Sequence, residues 1–347
     1  MARMPVLLDT PESEPDSLAL ARAGDAGAFE RLVKPHRRRL HLHCYRMLGS
    51  PHDADDAVQE ALLAAWRGLA SFEGRSALGT WLYQIATRNC LRFIAQRPQR
   101  LGSPDYAPAL TRTDDLGQPV PGPVWIEPLP DEEGLGDDPH EDPAPALQRR
   151  EHVALAFVAA LQHLPGTQRA ALLLRDVLEY SAAEAAELLD TSTAAVNSAL
   201  QRAQKTLGDK LGGKLGDASQ AVKLGPQGLE PLLASFMAAW ESRNVAALVG
   251  LLTEDARFTM PPLPAWFDGR RAIEMFLTER MFATPWRLRP LRANGQPGFA
   301  CYMQAPDGRF LLGAVNLLSL RDDRVAGIHG FLDPAVHERF GLPKEFV

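Results

Sequence analysis

No part of this chain restricts its folding more than residues 101–147, where ten prolines fall between Pro104 and Pro145 and one arginine stands against eleven aspartates and glutamates. Each proline removes a backbone donor and fixes φ, so neither a helix nor a central strand can run through the stretch. Its apolar residues follow neither a 2- nor a 3.6-residue period, and its charges repel one another. These features predict an acidic, proline-rich linker behaving as flexible coil, longer than loops inside compact domains usually are. A shorter interruption at 212–225, where LGGKLGD and LGPQG break the helical pattern, predicts a second linker. With a disordered start over residues 1–16, three folded units remain, at 17–100, 148–211 and 226–342. That agrees with roughly 150 residues per domain.

The linker also distorts the charge of the whole. The net charge is -6, but residues 101–147 carry -10, so the rest of the chain carries +4. An acidic total therefore does not exclude a nucleic-acid partner. No apolar run approaches the roughly 20 residues of a membrane span, and the opening MARMPVLLDTPESEP turns acidic before a signal-peptide core develops, which predicts a cytoplasmic protein with no membrane partner. Cys44, Cys90 and Cys301 are too few and too scattered for a disulfide scaffold or a four-thiolate zinc site, which predicts free thiols.

The first unit reads as helical throughout. Over 54–69, Ala57, Val58, Ala61, Leu62, Ala65, Trp66 and Leu69 form one stripe at three- and four-residue spacing. Asp53, Asp55, Asp56 and Glu60 crowd the first turns, where the helix dipole favours acids. A loop over 71–77 leads to a helix over 78–94 with Trp81, Leu82, Ile85, Ala86, Cys90 and Phe93 inward; Gln84, Thr87, Arg88 and Arg92 are expected on its outer face. The second unit contains a helix-turn-helix pattern. Ser181 and Glu184 make a capping box, Asp190 to Ser192 the turn, and a second helix over 193–207 turns Val196, Leu200, Ala203 and Leu207 inward. Its outer face offers Asn197, Ser198, Gln201, Arg202 and Lys205, groups suited to base edges and phosphates. The third unit puts helices before strand-like segments at 286–293, 299–304, 310–320 and 324–331, the pattern of an α+β domain with an antiparallel sheet.

The order of these parts and their wording resemble the extracytoplasmic-function (ECF) sigma factors of the sigma-70 family. DADDAVQE at 53–60, ALLAAW and FEGRSALGTWLYQIA resemble region 2, and LPGTQRAALLLRDVLEYSAAEAAELLDTSTAAVNSALQRAQKTL at 164–207 resembles region 4. The WIEP-containing linker and the C-terminal extension resemble the subgroup with a cone-shaped, SnoaL-like α+β domain. The resemblance implies a multidomain fold: two all-α sigma domains, the second with the helix-turn-helix, followed by the α+β cone. It implies a factor that binds core RNA polymerase and directs promoter-specific initiation under control of its C-terminal domain. Asp53, Asp56, Gln59 and Glu60 would dock on the clamp helices of the beta-prime subunit. Phe72, Arg75, Gln84, Thr87, Arg88 and Arg92 would act at the minus-ten element, and Ser192, Asn197, Ser198, Gln201, Arg202 and Lys205 at the minus-thirty-five element. Arg88 precedes Asn89 where many relatives carry Asn, and Asp190 stands where glycine is common.

Other constellations carry less. His36, His41, His43 and Cys44 diverge around a helix and lack a completing cluster, so no metal site is expected, and no cofactor. The alternative function is a small-molecule cyclase or isomerase joined to a DNA-binding module. SnoaL-like relatives use His and Asp in the cone, which makes Asp255, Tyr302, His329 and Asp333 the candidates. No motif brings those four together, whereas Trp240, Trp266, Phe267 and Phe299 read equally well as core; a non-enzyme is the expectation, with a small ligand of the cone as a further partner. Trp125 with Ile126, alone in a polar linker, is most simply explained if it docks somewhere. The linker acids, among them Asp131, Glu132, Glu133, Asp137 and Asp138, are expected to compete with DNA for basic faces.

Overall fold

The computed structural model describes residues 14–134, 153–211 and 225–346. Of the expected disordered start, residues 1–13 lie outside these, whereas Glu14 to Asp16 begin a helix, α1 (Glu14–Arg22). It packs on α2 (Ala26–Leu48), which forms the first helical unit with α3 (Pro51–Gly68) and α4 (Leu78–Gln96). Local chemistry sets the boundaries. Asp25 caps α2 by accepting from the Ala28 amide, Gly49 ends it at φ +74°, and Ser50 caps α3 ahead of Pro51 in its first turn.

The expected linker is not coil where it is described. Residues 101–134 form a strap with two single-turn helices, α5 (Ser103–Tyr106) and α6 (Asp131–Gly134). Prolines deny this segment a ladder of its own, so its backbone takes partners from its neighbours: Leu110 N–H donates to Trp266 O, Val120 N–H to Pro262 O and Glu127 N–H to Gly49 O. Trp125, Ile126 and Leu129 are buried, as the docking reading of Trp125 and Ile126 expected. Periodicity missed the strap because its order is tertiary. Residues 135–147 of the expected linker lie outside the described residues, as does most of the second linker.

The second unit comprises α7 (Leu155–Gln162), α8 (Gly166–Leu172), a π-helical turn over Leu173–Val177, α9 (Ala182–Leu188) and α10 (Thr193–Leu211). The Ser181–Glu184 capping box forms with both bonds, and Asp190 adopts φ +54° in the turn, a conformation Asp tolerates. Ala185, Ala186, Leu188, Val196 and Ala199 make the small core at the crossing.

In the third unit α11 (Gly225–Glu241), α12 (Val245–Gly250) and α13 (Arg270–Glu279) lie on one face of a six-stranded sheet of order β2-β1-β6-β5-β4-β3. The strands are β1 (Leu252–Thr259), β2 (Trp266–Asp268), β3 (Trp286–Ala293), β4 (Gln296–Gln304), β5 (Phe310–Arg321) and β6 (Arg324–Phe331), and a short α14 (Pro334–Arg339) follows. The β1–β6 pairing is parallel, so the sheet is mixed rather than wholly antiparallel. Trp240, Phe236, Phe258, Phe267, Phe276 and Phe299 stack between helices and sheet and fill the cone. The opposite sheet face is covered too. Ala293, Val315, Leu317 and Phe331 join one apolar cluster with α2, α3, α4, α7 and α8 of the sigma-like units.

Candidate nucleic-acid and polymerase interfaces

On α10 the residues singled out for the minus-thirty-five element, Ser192, Asn197, Ser198, Gln201, Arg202 and Lys205, are all exposed, while Val196, Ala199, Ala203 and Leu207 are buried behind them. This supplies amide groups that can pair bidentately with adenine and a guanidinium that can pair with guanine or phosphate, on one free helix face.

The α4 face differs from its sequence reading. Arg75, Arg88 and Arg92 are exposed, with Arg92 paired to Glu60. Thr87 is not on the outer face: it is fully buried and bonded to His43 at 2.9 Å. The reason is that α4 carries a second covered side, where Tyr83 meets Tyr180 of the second unit edge-on. Phe72 is also buried, its ring 4.9 Å from that of a half-buried Trp81. Gln84 is half covered, because its side-chain amide donates to Glu187 O on α9 at 3.2 Å. The second unit thus sits on part of the helix that would read the minus-ten element.

Of the four docking residues, Gln59 and Glu60 are exposed and Asp56 is partly so, but Asp53 is 5% exposed and committed internally. Its carboxylate accepts from Arg97 and from Arg100, the latter at 2.6 and 3.0 Å. Arg100 continues to Trp125 O at 2.6 Å and Glu127 Oε1 at 2.9 Å. Asp53 is therefore an anchor of the strap. Asp55, which the sequence reading left aside, pairs with His41 at 3.0 Å and with Arg339 of α14 at 2.7 Å; Arg339 also binds Glu133. Burial opposes ionisation of Asp55, but the hydrogen bonds from His41 and Arg339 prevail and hold it well below the usual carboxylate range. Asp131 likewise accepts from Gly295 N–H at 2.7 Å and pairs with Arg292. Two of the acids expected to mask DNA-binding faces thus hold the C-terminal unit instead. Asp137 and Asp138 lie outside the described residues.

The tightest junction went unnoticed in the sequence. Asn294 and Gly295, at φ +54° and +68°, form the two-residue turn between β3 and β4. Asn294 is 1% exposed. Its Nδ2 donates to Tyr45 Oη on α2 at 2.7 Å and to Val153 O before α7 at 2.6 Å; its Oδ1 accepts from Leu129 N–H of the strap at 2.9 Å. Next to it Gln296 Oε1 accepts from Leu155 N–H at 3.0 Å. One hairpin tip therefore bonds both sigma-like units and the strap. The Asn-Gly pair marks a turn in any sequence, but nothing local says where its tip is inserted.

The four enzyme candidates do not all converge: Asp255 and His329 line one cavity, and Tyr302 and Asp333 are not among its lining residues. Asp333 caps α14, and Tyr302 is buried behind β5 beside Phe346. Asp255 pairs with Arg321, which holds its carboxyl well below the usual range. His329, on the sheet face away from the cone interior, lies between Thr259 Oγ1 at 3.2 Å and Ser319 Oγ at 3.0 Å, and burial with the nearby Arg257 charge pushes its pKa down to about 4. Burial and Arg46 push His43 down to about 3.

Both histidines are neutral in the folded protein, whereas in the unfolded chain they titrate near 6.5. Below that value the unfolded chain takes up protons that the folded one refuses, so stability falls as pH drops from about 7 towards about 4. We expect a loss of about 1 kcal/mol per histidine between about pH 7.5 and 5.5 in urea titrations. His43→Gln should flatten that slope; an unchanged slope would show that His43 is not held neutral.

Comparison with known proteins bears on what these units are. Residues 32–99 match the family Sigma-70 region 2, and residues 154–207 match Sigma-70, region 4. ECF RNA polymerase sigma factor SigG of Mycobacterium tuberculosis is 42% identical over 334 residues, covering 91% of this chain and 84% of its own. The crystal structure of the extracytoplasmic-function sigma factor SigJ of the same species has a TM-score of 0.58 at 22% identity, covering 91% of this chain and 99% of its own. An NTF2-like protein from Cytophaga hutchinsonii covers 30% of this chain and 90% of its own, at 16% identity and a TM-score of 0.26. The two helical units are sigma-70 regions 2 and 4, and the chain belongs to the ECF sigma factors. It is a transcription initiation factor that binds RNA polymerase and gives it promoter specificity.

Proposed function

We propose that the free factor is held closed by its C-terminal unit and must open to read a promoter. The observation that carries this reading is the contact of α9 with α4 through Gln84 and Glu187 O. Elements at minus ten and minus thirty-five are about 25 base pairs apart, roughly 85 Å of duplex at 3.4 Å per pair. Two readers in mutual contact cannot meet both. A chain extends by at most roughly 3.3–3.6 Å per residue, so the 58 residues between α4 and α7 supply the span once the strap undocks.

In the open form α10 reads the minus-thirty-five element through Ser192, Asn197, Ser198, Gln201, Arg202 and Lys205. Arg75, Arg88 and Arg92, with Gln84 once uncovered, meet the minus-ten strand. Phe72 and Thr87 support that face from the core rather than touching DNA. Asp56, Gln59 and Glu60 dock on the beta-prime clamp helices, with Asp53 removed from that set. The reading places the protein in the cytoplasm. It assigns no catalytic residue, because Tyr302 and Asp333 lie apart from Asp255 and His329.

The test uses exposed positions. Donor and acceptor dyes at Ala70→Cys and Asp209→Cys, exposed positions outside both DNA-reading sets, avoid the three native thiols, which are buried. Energy transfer should be high in the free protein and fall in the promoter complex with core polymerase; equal transfer in both states would overturn the closed reading. Base reading is tested separately. Arg202→Ala should lower the slope of log affinity against log salt by about one unit if Arg202 meets a phosphate, or cost about 1–3 kcal/mol at one base pair if it meets an edge. Unaltered promoter affinity and specificity would remove Arg202 from the site.

A further inference from the structure

Where the strap, α7 and the outer face of the cone sheet meet there is an open cavity of about 310 Å³, at the lower end of the range of small-molecule sites. It lies outside the cone, whose interior is filled by aromatic rings. Its two walls differ. On one side Pro104, Trp125, Ala156 and Ala159 present apolar surface; on the other, strands β1, β5 and β6 present Arg257, Arg321 and His329.

The polar groups here include both donors and acceptors. The lining carboxylates are engaged, Asp255 by Arg321 and Asp105 by His163 at 3.2 Å. His329 has both ring nitrogens taken by hydroxyls. Arg257, by contrast, reaches Asp268 through Nε at 3.3 Å, and both side chains are about half exposed, so that pair exchanges easily with another acceptor. Trp125 Nε1 and Ser103 Oγ, on lining residues, are buried and meet no hydrogen-bond partner. A planar guanidinium fork beside an apolar wall suits a carboxylate carried on a small apolar body.

We propose that this junction binds a small aromatic or aliphatic monocarboxylate, with its carboxylate at Arg257 and its apolar part against Trp125 and the α7 alanines. Three separate segments build the cavity, so it exists only while they are packed together. A ligand that binds one of two conformations shifts the population towards that one. The carboxylate therefore favours the closed factor and lowers transcription. Only this regulatory consequence rests on the closed reading above; binding is measured on the free protein without polymerase.

The experiment titrates 3-phenylpropionate, with its amide as control, into the full chain by calorimetry at millimolar concentration. The acid should bind about tenfold more tightly than the amide, and Arg257→Gln should remove that difference. Ala159→Phe, which fills the cavity from a half-buried position, should weaken both compounds. In the dye-labelled protein the acid should raise energy transfer, and in run-off transcription it should lower output from wild type but not from Arg257→Gln. Absence of binding, or equal binding to wild type and both variants, would overturn the site. Binding without any change in energy transfer or output would overturn its regulatory part and leave the closed reading to its own test.

Discussion

Asn294→Gly should open the factor. The substitution keeps the backbone that the turn requires, since glycine adopts φ +54° freely, and removes only the amide that reaches three segments. Leu129 N–H and Val153 O lose their partner in a junction that water must enter, while Tyr45 Oη keeps its bond to Glu127 O. Losses of about 1–3 kcal/mol for each of the two stranded groups give about 2–6 kcal/mol in all, roughly thirtyfold to twenty-thousandfold in the ratio of closed to open protein. Energy transfer between the region 2 and region 4 dyes should fall in the free variant, and run-off transcription at limiting factor should rise several-fold. The cone is expected to stay folded, because its aromatic core does not include the hairpin tip. If transcription falls instead, the C-terminal unit acts as a brace that aligns regions 2 and 4, and the closed reading fails.

What could be read from the chain alone divides along the range of the interactions. The α3 stripe, the α9–α10 pair and the β3 and β6 limits follow from periodicity, capping and turn chemistry, which act within a few residues. The strap obeys no such rule. Its prolines exclude self-pairing, which makes it look like coil, yet its carbonyls and amides are matched by Gly49, Pro262 and Trp266, residues far away in sequence. Its apolar pair, Trp125 and Ile126, was the legible hint. The site residues divide in the same way. Position on a helix face predicted the exposed set on α10, because that helix has a single buried side. It failed for Thr87 because α4 is covered on two sides, one by its own unit and one by region 4.

Asp53 shows how one local argument serves opposite roles, and it gives the second large prediction. An acid in the first turn of α3 is favoured by the helix dipole whether it faces solvent, polymerase or a buried arginine. Here the arginines decide. Arg100 is 5% exposed and spends its guanidinium on Asp53, Glu127 and Trp125 O, so removing the carboxylate leaves a buried cation short of its main counter-charge. Breaking a buried pair from one side costs about 3–5 kcal/mol. Asp53→Ala should therefore lower the urea midpoint of the full chain by that equivalent and loosen the strap, seen as faster amide exchange at Leu101 and Ile126. Asp56→Lys and Glu60→Lys remove only partly exposed pairs with Arg97 and Arg92, and should stay within about 1 kcal/mol of wild type while weakening binding to core polymerase. The contrast separates anchoring from docking in a cluster that sequence presents as uniform. If Asp53→Ala unfolds at the wild-type midpoint yet loses polymerase affinity with the other two, the arginine pairs are dispensable and Asp53 rejoins the docking surface.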